Sequence, residues 1–421
     1  MSEVRPVRRR IPRLSGFVII LLATGVAGVA SYAVAILVPN RIGLAGYAVF
    51  AVFWSFLYLI VGTLGGIQQE VTRATLLRTG ETTIHASRAR AFGLVAGILV
   101  FIAIVGTAPL WMATAFPGNG WNLVWPLAVG ASSYVMVAVL AGSLYGVAAW
   151  VPLGLMISVD AILRLIGLGV TLSVTTDIVA LAWSVAIPFP LALVMLWPFI
   201  RPSIIGRSQL DVGYRALSWN VARTILAAGA TAVMVSGFPL LLGLTSHSEA
   251  KATLGMYIVT ITLTRAPLIV VALSLQSYLV VHFRDNAQHF WRHLLGLLVT
   301  IAAGGTALAV AGWFLGPPVY QFLFPNKQQP DAPFFAILVG SSALVAALCI
   351  TAPAVLARAR HFVYTAGWVA AAVITIAALM LPIDFASRTV CALLGGPIVG
   401  LVVHSSYLIA ARLGVRRAIT P

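Results

Sequence analysis

Apolar positions in this chain run in long unbroken stretches, not in an alternating or heptad pattern. Twelve of them approach or exceed the length of about 20 residues that crosses a bilayer as a helix. They lie at roughly 14–38, 43–67, 90–111, 121–147, 151–174, 178–199, 217–243, 254–281, 293–315, 333–356, 361–381 and 388–411. Polar and charged residues collect in the connections between them. The pattern predicts an all-α polytopic membrane protein with about twelve transmembrane helices. The stretches use most of the 421 residues and leave no room for a soluble catalytic domain.

The second half of the pattern reads as a worn copy of the first. Phe116-Pro117 recurs as Phe324-Pro325, 208 residues on, and Val129-Gly130-Ala131-Ser132 recurs as Val339-Gly340-Ser341-Ser342, 210 residues on. Gly46-Tyr47 finds Gly255-Met256-Tyr257, with the glycines 209 apart. Matches in one order at a nearly constant offset predict two six-helix lobes, 1–200 and 201–421, related by a parallel internal repeat. The basic connection 200–216 is the expected seam.

Composition agrees with the pattern: 61% of residues are apolar, 9% are charged, and the mean hydropathy is +1.02. A net charge of +16 suggests nucleic acid until its placement is read. Most of the 26 Lys and Arg fall at the termini and in even-numbered loops. Arg41, Lys251, Lys327 and Arg388 fall in odd-numbered loops, and Arg164, Arg223 and Arg265 lie inside spans. The positive-inside rule then puts both termini in the cytoplasm, in agreement with an even number of spans. The charge is a topology signal and an attraction to anionic membrane lipids, with no nucleic-acid partner expected. The basic N-terminus with its long apolar stretch reads as an uncleaved first helix. Cys349 and Cys391 sit in predicted spans and read as packing residues.

An ionisable residue within a span is costly, so the few present are the candidate chemistry. Arg265 has no acid near it in sequence and is flanked by Thr260, Thr262, Thr264 and Pro267. It is either a cavity cation for an anionic headgroup or a structural Arg bonded to carbonyls or to a distant acid. Arg223 lies about two turns into its span and either snorkels to the interface or lines a cavity. Asp160 and Arg164, spaced i, i+4, form either a structural intrahelical pair or an ion-coupling acid held by an arginine. Arg73, with Gln68 and Gln69, closes the second span where a polar headgroup would enter. Arg41 follows Pro39-Asn40 at the opposite face. His289 and His293, with His282 nearby, have metal-ligand spacing but no further ligand, so a solvated face is expected. No phosphate-cradling loop or nucleophile motif is present, and no catalytic residue, metal or cofactor is expected.

Gly46-Tyr47-Ala48-Val49-Phe50, Gly255-Met256-Tyr257 and the segment 316–324 (GPPVYQFLF), set in a twelve-span paired layout, resemble the oligosaccharide flippases of the multidrug/oligosaccharidyl-lipid/polysaccharide (MOP) exporter superfamily. The resemblance implies a MATE-like fold, with two lobes facing each other across a central cavity. It also implies alternating access, with a polyprenyl-diphosphate-linked oligosaccharide turned across a bacterial cytoplasmic membrane. The diphosphate would need cations, and Arg265, Arg223, Arg73 and Arg41 lie on the helices implied to surround the opening, or at their ends. Glycosyltransferases or a polymerase of an envelope pathway are the implied partners. Three alternatives stand beside this reading. A drug or cation antiporter of the same superfamily would lean on an acid such as Asp160. A peptidoglycan-precursor flippase would carry extra spans and a cationic first helix, whereas residues 16–38 are uncharged. A non-transporting subunit of an envelope-polymer complex would share the hydropathy.

Overall fold

The computed structural model describes residues 13–77, 89–205, 208–358 and 360–419. The N-terminal basic run and the loop arginines Arg78, Arg88 and Arg207 lie outside the described residues. The first two predicted spans form one element, α1 (Arg13–Ala74), broken at Gly43, whose φ of 75° and ψ of 169° interrupt the helix. Both ends of α1 sit beside the same connection: Gly16 meets the Trp150 indole, and Gly146 meets Thr75 and Thr72. The element therefore folds back on itself as two arms, residues 13–42 and 44–74. Glycine supplies the positive φ of the turn, which a β-carbon disfavours.

Among the described residues thirteen α-helices follow the order α1, α2 (Ala89–Ala115), α3 (Gly120–Gly146), α4 (Trp150–Val174), α5 (Ile178–Ala186), α6 (Pro188–Ile204), α7 (Tyr214–Val235), α8 (Phe238–Thr245), α9 (Lys251–Asp285), α10 (Phe290–Leu323), α11 (Ala332–Leu356), α12 (His361–Leu379) and α13 (Phe385–Ile419). Among the described residues nine helical spans are long and apolar enough to cross a membrane, or ten if the bent α7–α8 pair is one. The fold at Gly43 makes two crossings of α1, and the 35-residue α9 has the length for another, about 50 Å of helix. With these the path makes the twelve passes expected, and the described chain begins and ends on one face. That face carries Arg201, Arg215, Arg284, Arg292, Arg358, Arg360 and Arg412. The opposite face sets Asp177, Glu249, Asp331 and Asp384 against Arg41, Lys251, Lys327 and Arg388.

Two local features add to the sequence expectation. The span expected at 217–243 is broken: α7 and α8 meet at an angle of 71°. The chain is also not wholly helical, since β1 (Thr75–Leu77) and β2 (Ser208–Leu210) pair antiparallel on the basic face, Thr75 opposite Leu210. This ladder joins the end of α1 to the connection before α7.

The likeness between the halves extends to backbone detail. After α2, Asn119 N–H donates to the Phe116 carbonyl, and Gly118 has φ of 82°. After α10, Lys327 N–H donates to the Phe324 carbonyl, and Asn326 has φ of 62°. Phe116 and Phe324 are both fully buried. Asparagine is among the few residues that replace glycine in this conformation, so the turn survives the substitution. Burial repeats as well. The most apolar windows of α2 and α10 are 17% and 11% buried, whereas those of α3 and α11 are 61% and 72% buried. In each half a largely exposed helix precedes a largely buried one.

Candidate functional site

α1 carries the contacts that position the buried polar groups. Its first arm packs Ile19 and Ala23 against Gly154 of α4. Its second arm runs along α7, α8 and α9, with Gly62 against Ala232, Gly66 against the backbone at Thr224 and Ile225, and Val52 against Gly243. Small residues allow this close helix approach.

Arg265, the fifteenth residue of α9, is 5% exposed. Its guanidinium stands over the Phe238 ring, 5.6 Å from the centroid, and its buried Nε has no hydrogen-bond partner. No acidic residue pairs with it among the described residues. The flanking threonines do not supply acceptor-seeking donors: Thr260, Thr262 and Thr264 each donate to the carbonyl four residues earlier, 2.7, 2.8 and 2.7 Å away. Tyr32 of the first arm donates to the Leu263 carbonyl at 3.1 Å and fixes α9 beside α1. Arg265 is therefore a desolvated guanidinium with one buried donor, Nε–H, left without an acceptor.

Arg164 of α4 lies at comparable depth and has the opposite character. It bonds both carboxylate oxygens of Asp160, at 2.9 and 2.7 Å. Its charge faces an aromatic box of Phe189, Tyr58 and Trp54, with centroids 4.9, 5.4 and 5.9 Å away. Ala30, Ser31 and Val34 of the first arm line a small recess beside it. The i, i+4 pair anticipated from spacing is formed through Nη2, while Arg164 Nε, like Arg265 Nε, is buried without a hydrogen-bond partner.

Arg73 closes a network on the basic face. Its Nε and Nη2 donate to Glu70 at 2.9 and 2.6 Å, and its Nη1 lies 3.7 Å from Asp211. Glu70 is buried and also accepts from Asn220 Nδ2 of α7 at 2.9 Å, while Thr224 Oγ1 donates to the Gly66 carbonyl at 3.1 Å. Arg223 and Arg41 are exposed. Arg41 adjoins Asn40, which donates to the Leu323 carbonyl at 2.9 Å on the opposite face. Of the four arginines named from sequence, Arg265 alone is buried, and Arg73 and Arg223 sit by the same α1–α7 contact. Of the histidines, His293 pairs with His282, at 3.2 Å between ring nitrogens, through the α9–α10 turn.

Sequence reasoning missed Ser55. Its hydroxyl donates to the Ser236 carbonyl at the end of α7 and accepts from Leu240 N–H in the first turn of α8. A broken helix leaves orphan backbone groups, and one side chain of α1 satisfies two of them. A lone serine in an apolar span carries no signal for this role.

No family model matches the chain. Uncharacterized protein Rv3630 of Mycobacterium tuberculosis (strain ATCC 25618 / H37Rv) is 32% identical over 386 residues, covering 91% of this chain and 89% of that protein. Uncharacterized protein Rv1510 of the same strain is 31% identical over 392 residues, covering 92% and 90%. Among solved structures, an inward-facing multidrug resistance MATE family transporter of the MOP superfamily superposes with a TM-score of 0.66 at 15% identity, covering 94% of this chain and 95% of that one. The MATE multidrug transporter DinF-BH gives 0.62 at 15% identity, covering 98% of each chain. Lipid II flippase MurJ in an inward closed conformation gives 0.60 at 13% identity, covering 95% and 87%. These likenesses establish a MATE-like, all-α polytopic membrane fold. With sequence shared over nine-tenths of its length, this chain belongs to the family of the mycobacterial proteins Rv3630 and Rv1510.

Proposed function

We propose that the protein is a flippase of the bacterial cytoplasmic membrane, translocating a polyprenyl-diphosphate-linked oligosaccharide by alternating access between the two six-helix lobes. The observation that carries this reading is Arg265, a buried guanidinium at mid-membrane without an acidic partner among the described residues. Leaving such a cation unpaired is costly, and an anionic headgroup passing through the bundle would offset that cost. A fold shared with the lipid II flippase MurJ supports a lipid-linked substrate. The basic face is taken as cytoplasmic, with both termini there. Glycosyltransferases or a polymerase of an envelope pathway would supply or consume the glycolipid.

The test is translocation of such a glycolipid by the full chain in reconstituted vesicles. Arg265→Ala is expected to lower the rate by about 10- to 100-fold, the loss of one charge-assisted phosphate contact, and Arg265→Lys to recover part of it. Full transport by a folded Arg265→Ala variant removes Arg265 from the mechanism. A second reading, a drug or cation antiporter, is favoured by Asp160, which is partly exposed beside Arg164. After deletion of the protein, a glycolipid accumulating on the inner leaflet supports the flippase. Unchanged glycolipids with new drug sensitivity support the antiporter.

A further inference from the structure

We propose that the basic face of the second half carries a built docking site for the phosphate of an anionic membrane lipid, centred on Trp291 and separate from the transport path. Arg358 and Arg412 reach that ring from different parts of the chain, and Arg360 is held on Tyr407, which packs in the same apolar cluster. Arg358, just past α11, stands over Phe290 at 4.3 Å and near Trp291 at 5.9 Å. Arg412, in the last turns of α13, stands over Trp291 at 5.0 Å. Arg360, at the start of α12, lies over Tyr407 at 5.8 Å and donates its Nε to the Tyr407 hydroxyl at 3.1 Å. None of the three pairs with an acid among the described residues.

Stacking on a ring engages the face of a guanidinium and leaves the N–H groups at its edge free to donate. Aromatic residues thus hold these cations in place where carboxylates would have neutralised them. Like charges brought together from the α11–α12 connection and α13 repel unless an anion joins them, and the fork geometry of Arg suits phosphate oxygens. Two observations point to a lipid as the source of that phosphate. The cluster lies at the ends of membrane-length helices, where headgroups lie. Beside it Phe362 is 84% exposed, an aromatic ring placed to sit among the acyl chains next to the headgroup. A polybasic face draws anionic lipid diffusely; the stacked arginines add a fixed position.

The test is native mass spectrometry of the full chain in detergent, titrated with phosphatidylglycerol against phosphatidylcholine. The wild type is expected to retain phosphatidylglycerol preferentially. Arg358→Ala/Arg412→Ala should weaken that binding about tenfold or more, the loss of charge-assisted bonds. Arg201→Ala/Arg215→Ala, with equal charge removed elsewhere on the same face, should leave it unchanged. Arg358→Lys/Arg412→Lys keeps the charge and loses the planar fork. It guards against misfolding of the alanine variant and is expected to bind several-fold more weakly than wild type. Wild-type affinity in the lysine variant overturns the proposal, as does equal loss in the Arg201/Arg215 variant. Complete displacement of the lipid by excess inorganic phosphate overturns the assignment to a lipid.

Discussion

Removing the Glu70 carboxylate should open the basic face between α1 and α7. The Glu70 side chain is 5% exposed and holds Arg73 on one side and Asn220 on the other. A hydrogen bond to a buried carboxylate contributes about 1.5–3 kcal/mol, which is the Asn220 contribution. The Arg73 side chain is 51% exposed, so its pair with Glu70 is screened and adds only about 0.2–1 kcal/mol. Glu70→Ala should therefore shift the balance between open and closed by roughly 2–3 kcal/mol, or about 30- to 160-fold. The Thr224–Gly66 bond and the β1–β2 ladder remain to oppose opening. Spin labels at Gln69 and Arg215, on either side of the contact, would report it by electron–electron resonance. A new population at longer distance is expected in Glu70→Ala, and a smaller one in Glu70→Gln, which keeps an acceptor for Asn220. A distribution identical to the parent's, in a variant that remains folded, would refute the reasoning.

Three further outcomes follow from the geometry. Ser55→Ala strands the Ser236 carbonyl and the Leu240 N–H, and should lower stability by about 1–3 kcal/mol, read as a drop in Tm or in denaturant midpoint; Ser55→Thr should retain most of it. Arg164→Leu leaves Asp160 unpaired beside aromatic rings and should cost about 3 kcal/mol, whereas Asp160→Leu/Arg164→Leu should recover much of that loss; equal damage in both would show that the pair is not the relevant unit. Asp384, on the loop before α13, accepts the Ser387 N–H at 2.9 Å, and these backbone hydrogen bonds hold its carboxyl below the usual aspartate range. Because the folded value is depressed, its contribution is present above the ordinary aspartate pKa near ~3.9 and is lost as pH falls through the folded value. Amide exchange at 386–389, corrected for intrinsic rate, should lose protection across that acidic window, and Asp384→Asn, which caps without titrating, should flatten the step.

What could be read in advance follows the range of each interaction. The spans were legible because bilayer thickness imposes a length on any apolar helix. The Asp160–Arg164 pair was legible because four residues make one helical turn. Arg265 stood out because no acid is near it in sequence, but its Phe238 partner lies across the α7–α8 break. The expected histidine spacing, 289 and 293, proved secondary to the 282–293 pair, which depends on where the α9–α10 turn falls. The Glu70–Asn220 bond joins residues 150 positions apart and leaves no periodic trace. The β1–β2 ladder joins two basic connections that carry no strand pattern, so nothing local announced it.

The stitch made by Ser55 also bears on the order in which the chain is made. Its two backbone partners lie 181 and 185 residues downstream, so the hydroxyl is in place before α7 and α8 are synthesised. The broken helix enters a membrane in which its template already stands, and its orphan groups need not wait in lipid. A circular permutant that placed α7–α8 ahead of α1 would reverse that sequence, and the break would have to insert with those groups unsatisfied.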